Sequence, residues 1–253
     1  MENHKNKAFL IYLQQIKSSQ SQELSLCNDT SDRFPKFHAS ITAVNFWNLF
    51  LTEYEILNQT KFIISDESKT FVFTIIYFFL RDKNFYRSPS IYKVDKCETS
   101  LNKGLFVVGG YGVGKSSIVK TIVLLVGKLS FNNNLYCVKF HNTSDIVEEF
   151  ENSITNYRND TINRYSKGFR VFDDVKNERQ ASNFGKVDLF KDIFYKRFEN
   201  RNYRTIIICN YDSQYPSDMQ KAIDSFERYG DRNYDRLFEA FNFVEFKGTS
   251  NRK

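Results

Sequence analysis

The stretch GLFVVGGYGVGKSSIVK, residues 104–120, decides the fold. Its apolar run, Leu105 to Val108, leads into a turn that holds four of the chain's ten glycines, at positions 109, 110, 112 and 114. A short apolar run bounded by glycine reads as a buried strand, and SSIVKTIVLLVGKL (116–129) reads as a helix. Gly109 to Ser116 satisfies G-x-x-x-x-G-K-[ST], and the flanking strand and helix are the context that gives this pattern meaning. The glycines let the backbone curl so that successive N–H groups face inward, toward the positive end of the following helix. Gly109, Gly110, Tyr111, Gly112, Val113, Gly114, Lys115, Ser116 and Ser117 are therefore the expected phosphate cradle. Lys115 is placed to reach β- and γ-phosphates as a point charge, and the Ser116 hydroxyl to ligate Mg²⁺.

Strands and helices alternate downstream of this motif. LYCVKF (135–140), FRVFDD (169–174), RTIIICN (204–210) and FNFVEF (241–246) read as strands. SDIVEEFENSITNY (144–157) and KVDLFKDIFYKRFE (186–199) read as helices, with two short helices before the last strand. Such alternation predicts an α/β fold, a largely parallel sheet with helices on both faces. Upstream of Lys103 the chain reads as mainly helical. A helix is expected near 7–20, then a polar stretch with Pro35, an aromatic helix AVNFWNLFLTEYEIL (43–57) and an apolar helix at about 66–81. Residues 83–103 read as a connector with one short strand, SIYKV (90–94), so the expected division is a helical part, 1–100, and a P-loop domain, 101–253.

FRVFDD ends in a carboxylate pair. Asp173 is the expected Mg²⁺ ligand and Asp174 the group that polarises water, although acidic pairs after strands also serve as helix caps. The strand RTIIICN ends in Asn210, whose amide is placed to hydrogen-bond the γ-phosphate and that water, where a lone Asn would otherwise read as a turn residue.

Composition narrows the remaining classes. With 41% hydrophobic residues, only 3 prolines and 10 glycines, the chain is suited to a sizeable core and regular structure. A net charge of +6 suits contact with phosphates but includes no polybasic block. The nearest approach to one is KRFENRNYR (196–204), with Lys196, Arg197, Arg201 and Arg204. It reads as a nucleic-acid contact or, more plainly, as a helix end whose cations complement the dipole. Cys27, Cys97, Cys137 and Cys209 form no CxxC pair, which argues against a zinc site or disulfide framework and suits a reducing, cytoplasmic setting. The start of the chain has no run suited to a signal peptide, and FVFTIIYFFL (71–80) falls short of the ~20 residues of a membrane span, so no membrane partner is expected.

Over about residues 100–248 the chain resembles the AAA+ superfamily, and more narrowly the DnaC-type helicase loaders and IstB-type transposition helpers. The resemblance rests on KGLFVVGGYGVGKSS, on VFDDV with Glu178 beyond it, on FGKVDLFKDIFYKRFE before the strand ending in Asn210, and on YGDRNYDRLFEAFNFVEFKG (229–248). It implies an ATPase that uses ATP and Mg²⁺ and assembles as a homo-oligomer through shared ATP sites. The arginine finger of that family falls on Arg236, with Arg232 as the second candidate in R-x-x-x-R-L. The alternative is an exposed helix on which Asp231, Arg232, Asp235 and Arg236 pair among themselves. Only 43 residues follow Asn210, which implies a reduced or absent helical lid. Where the family usually has Gly after its D-D-[LIV], Lys176 stands here, which leaves the role of Glu178 open.

The implied function is loading of a DnaB-type replicative helicase onto DNA, single-stranded ahead of duplex. A transposition helper on duplex DNA and a nucleotide-dependent adaptor with little turnover are the alternatives. In loaders the N-terminal part grips the helicase, so Phe46, Trp47, Phe50 and Leu51 read either as an anchoring face or, at their helical spacing, as core.

Overall fold

Thr42 starts the first described helix. Its hydroxyl accepts from the Asn45 N–H, and the helix, α1 (Ala43–Asn58), ends where Gln59 turns left-handed. The computed structural model describes residues 41–95, 97–129, 137–153, 158–182, 186–200 and 202–250. The expected helix at 7–20, Pro35 and Cys27 lie outside them. Helix α2 (Asp66–Leu80) opens on a reciprocal capping box between Ser65 and Ser68, with Asp66 and Glu67 in the first turn.

These two helices meet through aromatic rings. Trp47 stacks on Phe73 at 5.3 Å and on Phe50 at 5.8 Å. Phe71 lies flat on Phe246 at 4.4 Å. Phe46, Trp47 and Phe50 are buried and Leu51 is half-buried, so this stripe packs as core.

The main sheet contains β1 (Ile91–Tyr92), β2 (Gly104–Gly109), β3 (Lys139–Asn142), β4 (Arg170–Val175), β7 (Thr205–Asn210) and β8 (Phe241–Phe246), in the order β1-β8-β2-β7-β4-β3. All neighbours run parallel except β1, which is antiparallel to β8. β5 (Ala181–Ser182) and β6 (Lys186–Val187) form a separate small pair. The connecting elements are α3 (Lys115–Leu129), α4 (Thr143–Asn152), α5 (Arg158–Tyr165), α6 (Leu189–Glu199), α7 (Met219–Asp224), a 3₁₀ turn (Ser225–Tyr229) and α8 (Asp231–Ala240).

Alternate strand residues feed two cores. Leu105, Val107, Val171, Ile206 and Ile208 pack with α1, α2 and α3, while Phe106, Val108, Phe172, Ile207 and Cys209 pack with α4, α6, the 3₁₀ turn and α8. The α/β expectation is therefore correct, with differences at its edges. Of the strand expected at 135–140, residues 135 and 136 lie outside the described residues, Cys137 and Val138 are not in a strand, and β3 runs over Lys139–Asn142. Lys186 and Val187 belong to β6, and α6 begins only after Asp188, whose carboxylate caps it. Helix α4 stops at Asn152, with the Ser153 N–H bonded to Phe150 O. Among the described residues, no helix is long and apolar enough to cross a membrane.

Within the basic segment 196–204, of which Arg201 lies outside the described residues, two arginines turn inward. Arg197, 1% exposed, donates to Thr205 Oγ1 and to the carbonyls of Tyr165, Gly168 and Arg204, and burial lowers its pKa to about 9. Arg204 lies over the Phe78 ring at 4.5 Å and donates to Leu101 O. Lys196 does remain at the end of α6, bonded to Asn163. The two buried guanidiniums bind loop carbonyls together, which withdraws them from any nucleic-acid contact.

Candidate functional site

Strand β2 ends beside the end of β7, with Gly109 paired to Asn210. A Cβ on Gly109 would lie 2.6 Å from Phe246 O, so β8 requires glycine there. Gly112 and Gly114 take φ of 72° and 95°, the left-handed turn that directs the loop back into α3. Lys115, the first residue of α3, is buried, and its Nζ donates to Gly109 O (2.9 Å), Gly110 O (2.7 Å) and Asn210 Oδ1 (2.9 Å). Next to it, Ser116 Oγ donates to Asp173 Oδ1 at 2.8 Å. Val113 is buried beneath the loop and Tyr111 is exposed at its tip.

The carboxylates are aimed by a bulge. Phe172 pairs with Ile207 but Val175 pairs with Cys209, so Asp173 and Asp174 together oppose Ile208 alone. Asp174 takes φ of 63°. Its carbonyl accepts from Thr143 Oγ1 (3.1 Å) and the Asn177 N–H (3.2 Å). Its carboxylate accepts from Asn177 Nδ2 (2.6 Å) and, more loosely, Asn210 Nδ2 (3.4 Å). Burial raises the pKa of Asp173; the Ser116 hydrogen bond opposes this and the adjacent Asp174 charge adds to it.

Lys115, Ser116, Asp173, Asp174 and Asn210 thus converge at the ends of β2, β4 and β7. Among the described residues no group of three or more His, Cys, Asp or Glu gathers in a metal-binding cluster. A divalent cation here would take the Ser116 and Asp173 oxygens and complete its shell from phosphate and water, the coordination habit of Mg²⁺.

Beyond the bulge, Lys176 takes φ of 80°. The buried Glu178 accepts from the Lys176 N–H (2.7 Å) and the Tyr229 hydroxyl, with Arg228 Nη2 at 3.4 Å. Burial raises the pKa of Glu178 and pushes that of Tyr229 well up. Glu178 therefore ties the turn to the 3₁₀ segment. Thr143, Asn177 and Tyr229 also support the acidic turn and were not singled out from the sequence. Lys176 was visible there only as a departure from glycine, which its positive φ explains.

Arg232 and Arg236 lie elsewhere. Both pair with Glu199 Oε1, at 3.3 and 3.5 Å, and both lie over the Tyr195 ring. Arg236 borders a cavity of about 450 Å³ lined also by Gly104, Thr205 and Phe241, the first residues of β2, β7 and β8. The glycine-rich loop follows the last residue of β2, so the arginines sit at the opposite end of the sheet within one chain. Their ion-pair partner is on α6 rather than within α8.

No protein-family model matches the chain, and no curated protein matches it. Solved structures give partial likenesses. A DnaC helicase loader is 19% identical, covering 80% of this chain and 98% of its own, with a TM-score of 0.45. DnaI is 19% identical, covering 76% and 90%, at 0.46. AMPPCP-bound DnaA from Aquifex aeolicus is 18% identical, covering 57% and 40%, at 0.38. At these identities and scores no residue's role passes from those proteins to this one.

Proposed function

We propose that the chain is an ATPase of the AAA+ kind that works in DNA replication, recruiting or depositing a DnaB-type replicative helicase on single-stranded DNA. The observation that carries the ATPase reading is the convergence of Lys115, Ser116, Asp173, Asp174 and Asn210 around one loop that meets the P-loop pattern. The loader reading rests on the resemblance of residues 184–210 and 229–248 to that family.

In this reading the Lys115 ammonium, at the loop carbonyls, exchanges them for β- and γ-phosphate oxygens. The loop N–H groups and the start of α3 bind the remaining phosphate charge. Ser116 and Asp173 would hold Mg²⁺, which supplies neutralisation of phosphate charge when bound. Asp174 orients and polarises the attacking water, and Asn210, between Lys115 and Asp174, senses the γ-phosphate. Arg236 of a neighbouring subunit, with Arg232 beside it, completes the site across a homo-oligomeric interface.

The test is steady-state ATP hydrolysis by the purified protein, alone and with single-stranded or duplex DNA, with Lys115→Ala as the blank. Stimulation chiefly by single strands is the expected result. Stimulation chiefly by duplex would replace the loader with a transposition helper, and no turnover under any condition would leave a nucleotide-dependent adaptor.

A further inference from the structure

The Lys176 side chain has no role in the site as described so far, yet the residue is hydrogen-bonded through its ammonium, its N–H and its carbonyl. Its φ of 80° strains any residue with a Cβ, and Asp174, two positions earlier, is in the same region at 63°. A turn with two such residues must be fixed from outside. The Lys176 ammonium donates to Asn210 O (3.1 Å), Ala222 O (3.1 Å) and Ser225 Oγ (2.8 Å), one partner for each of its three donors. The N–H of the same residue reaches Glu178 Oε2 (2.7 Å) and Tyr229 OH (3.1 Å), and its carbonyl accepts from Arg228 Nη1 (2.6 Å).

One residue therefore joins three parts: the bulged end of β4, the end of β7, and residues 219–229, which lead directly into α8. The carbonyl gripped by the ammonium belongs to Asn210, whose side chain accepts from Lys115 and donates to Asp174.

We propose that Lys176 is a positioning residue that locks Asp174 and Asn210 into one geometry and ties that geometry to the 219–229 segment preceding α8. This rests on the ATPase reading above. A change in the Asn210–Asp174 contact on γ-phosphate binding or loss is then passed through the ammonium to residues 219–229 and on to the helix that carries Arg232 and Arg236. Glycine would relax the backbone at this position but remove the tether.

Two variants separate the tether from the strain. Lys176→Gly relieves the φ and loses the ammonium; Lys176→Met keeps the φ and loses the ammonium. Both are expected to bind ADP within about twofold of the parent and to lose roughly ten- to hundredfold in kcat with little change in KM. A merely structural residue would lower kcat in step with stability, whereas these two variants differ in stability and are expected to fall together in kcat. Amide hydrogen exchange over residues 219–229 should quicken in both. Turnover within about twofold of the parent in both variants, or unchanged exchange over 219–229, overturns the proposal. If the parent protein itself hydrolyses no ATP, the ATPase reading fails, and the exchange comparison alone then decides whether the tether exists.

Discussion

The Asp173–Asp174 pair shows how one residue's backbone determines what its side chain can do. A regular strand would send the two carboxylates to opposite faces; the bulge and the positive φ of Asp174 bring one to Ser116 and the other to Asn210. The residue types were legible in the sequence because carboxylates and an amide at the ends of apolar strands are chemically conspicuous. The bulge was not, since no glycine marks it and the strained turn is held by a contact from Thr143, distant in sequence. A second residue makes a stability prediction. His141 Nε2 lies 2.7 Å from Arg170 Nη1, and burial, reinforced by the Arg170 charge, lowers its pKa from 6.5 to about 4. Lys139 pushes the same way and Glu149 opposes. The folded state thus binds fewer protons than the unfolded chain between those values. This contribution is complete above about pH 6.5 and is lost as pH falls toward about 4, by about 1–2 kcal/mol after screening. His141→Gln should flatten the decline of the urea midpoint between pH 7 and 5 relative to the parent; parallel curves would show that His141 does not titrate as described.

Among the elements, the α1–α2 hairpin buttresses the end of the sheet that carries the glycine-rich loop. Phe71 of α2 is fully buried and stacks on Phe246, the last residue of β8, whose carbonyl closes on Gly109. Phe71→Ala should cost about 3–5 kcal/mol, from lost burial and the cavity left behind, read as a drop in the denaturant midpoint at unchanged slope. A loss below about 1 kcal/mol would mean that the hairpin is not part of the same cooperative unit. The helical spacing of Phe46, Trp47 and Phe50 was legible as a buried stripe, and the alternation after Lys103 as a parallel sheet. Short edge elements were not. β3 has no fully buried residue, and β5 and β6 contain two residues each, so they lack the apolar run that marks β2 or β7. The basic run at 196–204 was legible as a helix end, with Lys196 and Arg197 in the last turn of α6, but composition cannot show that Arg197 and Arg204 turn inward to satisfy carbonyls.

Across the whole molecule, strand direction separates two groups that the proposed chemistry needs together. The glycine-rich loop follows the end of β2 and Arg236 lies at the start of that strand, which at six residues spans about 20 Å. In the proposed mechanism, an Arg236 that assists hydrolysis would therefore come from a second subunit. Arg236→Ala and Asp174→Asn should each bind ATP and turn over poorly, while a mixture should recover part of the activity through sites with an intact Asp174 on one side and an intact Arg236 on the other. A mixture no more active than its components would count against a shared site. The central claim is simpler and comes first, that the loop at 109–117 is an ATP site with Lys115 at its centre. Calorimetric titration of ATP with Mg²⁺ into the parent protein and into Lys115→Ala tests it. Saturable one-site binding by the parent, weakened roughly a hundredfold, about 3 kcal/mol, in the variant is the predicted result. Equal affinity in the two proteins, or no binding by the parent, would contradict it.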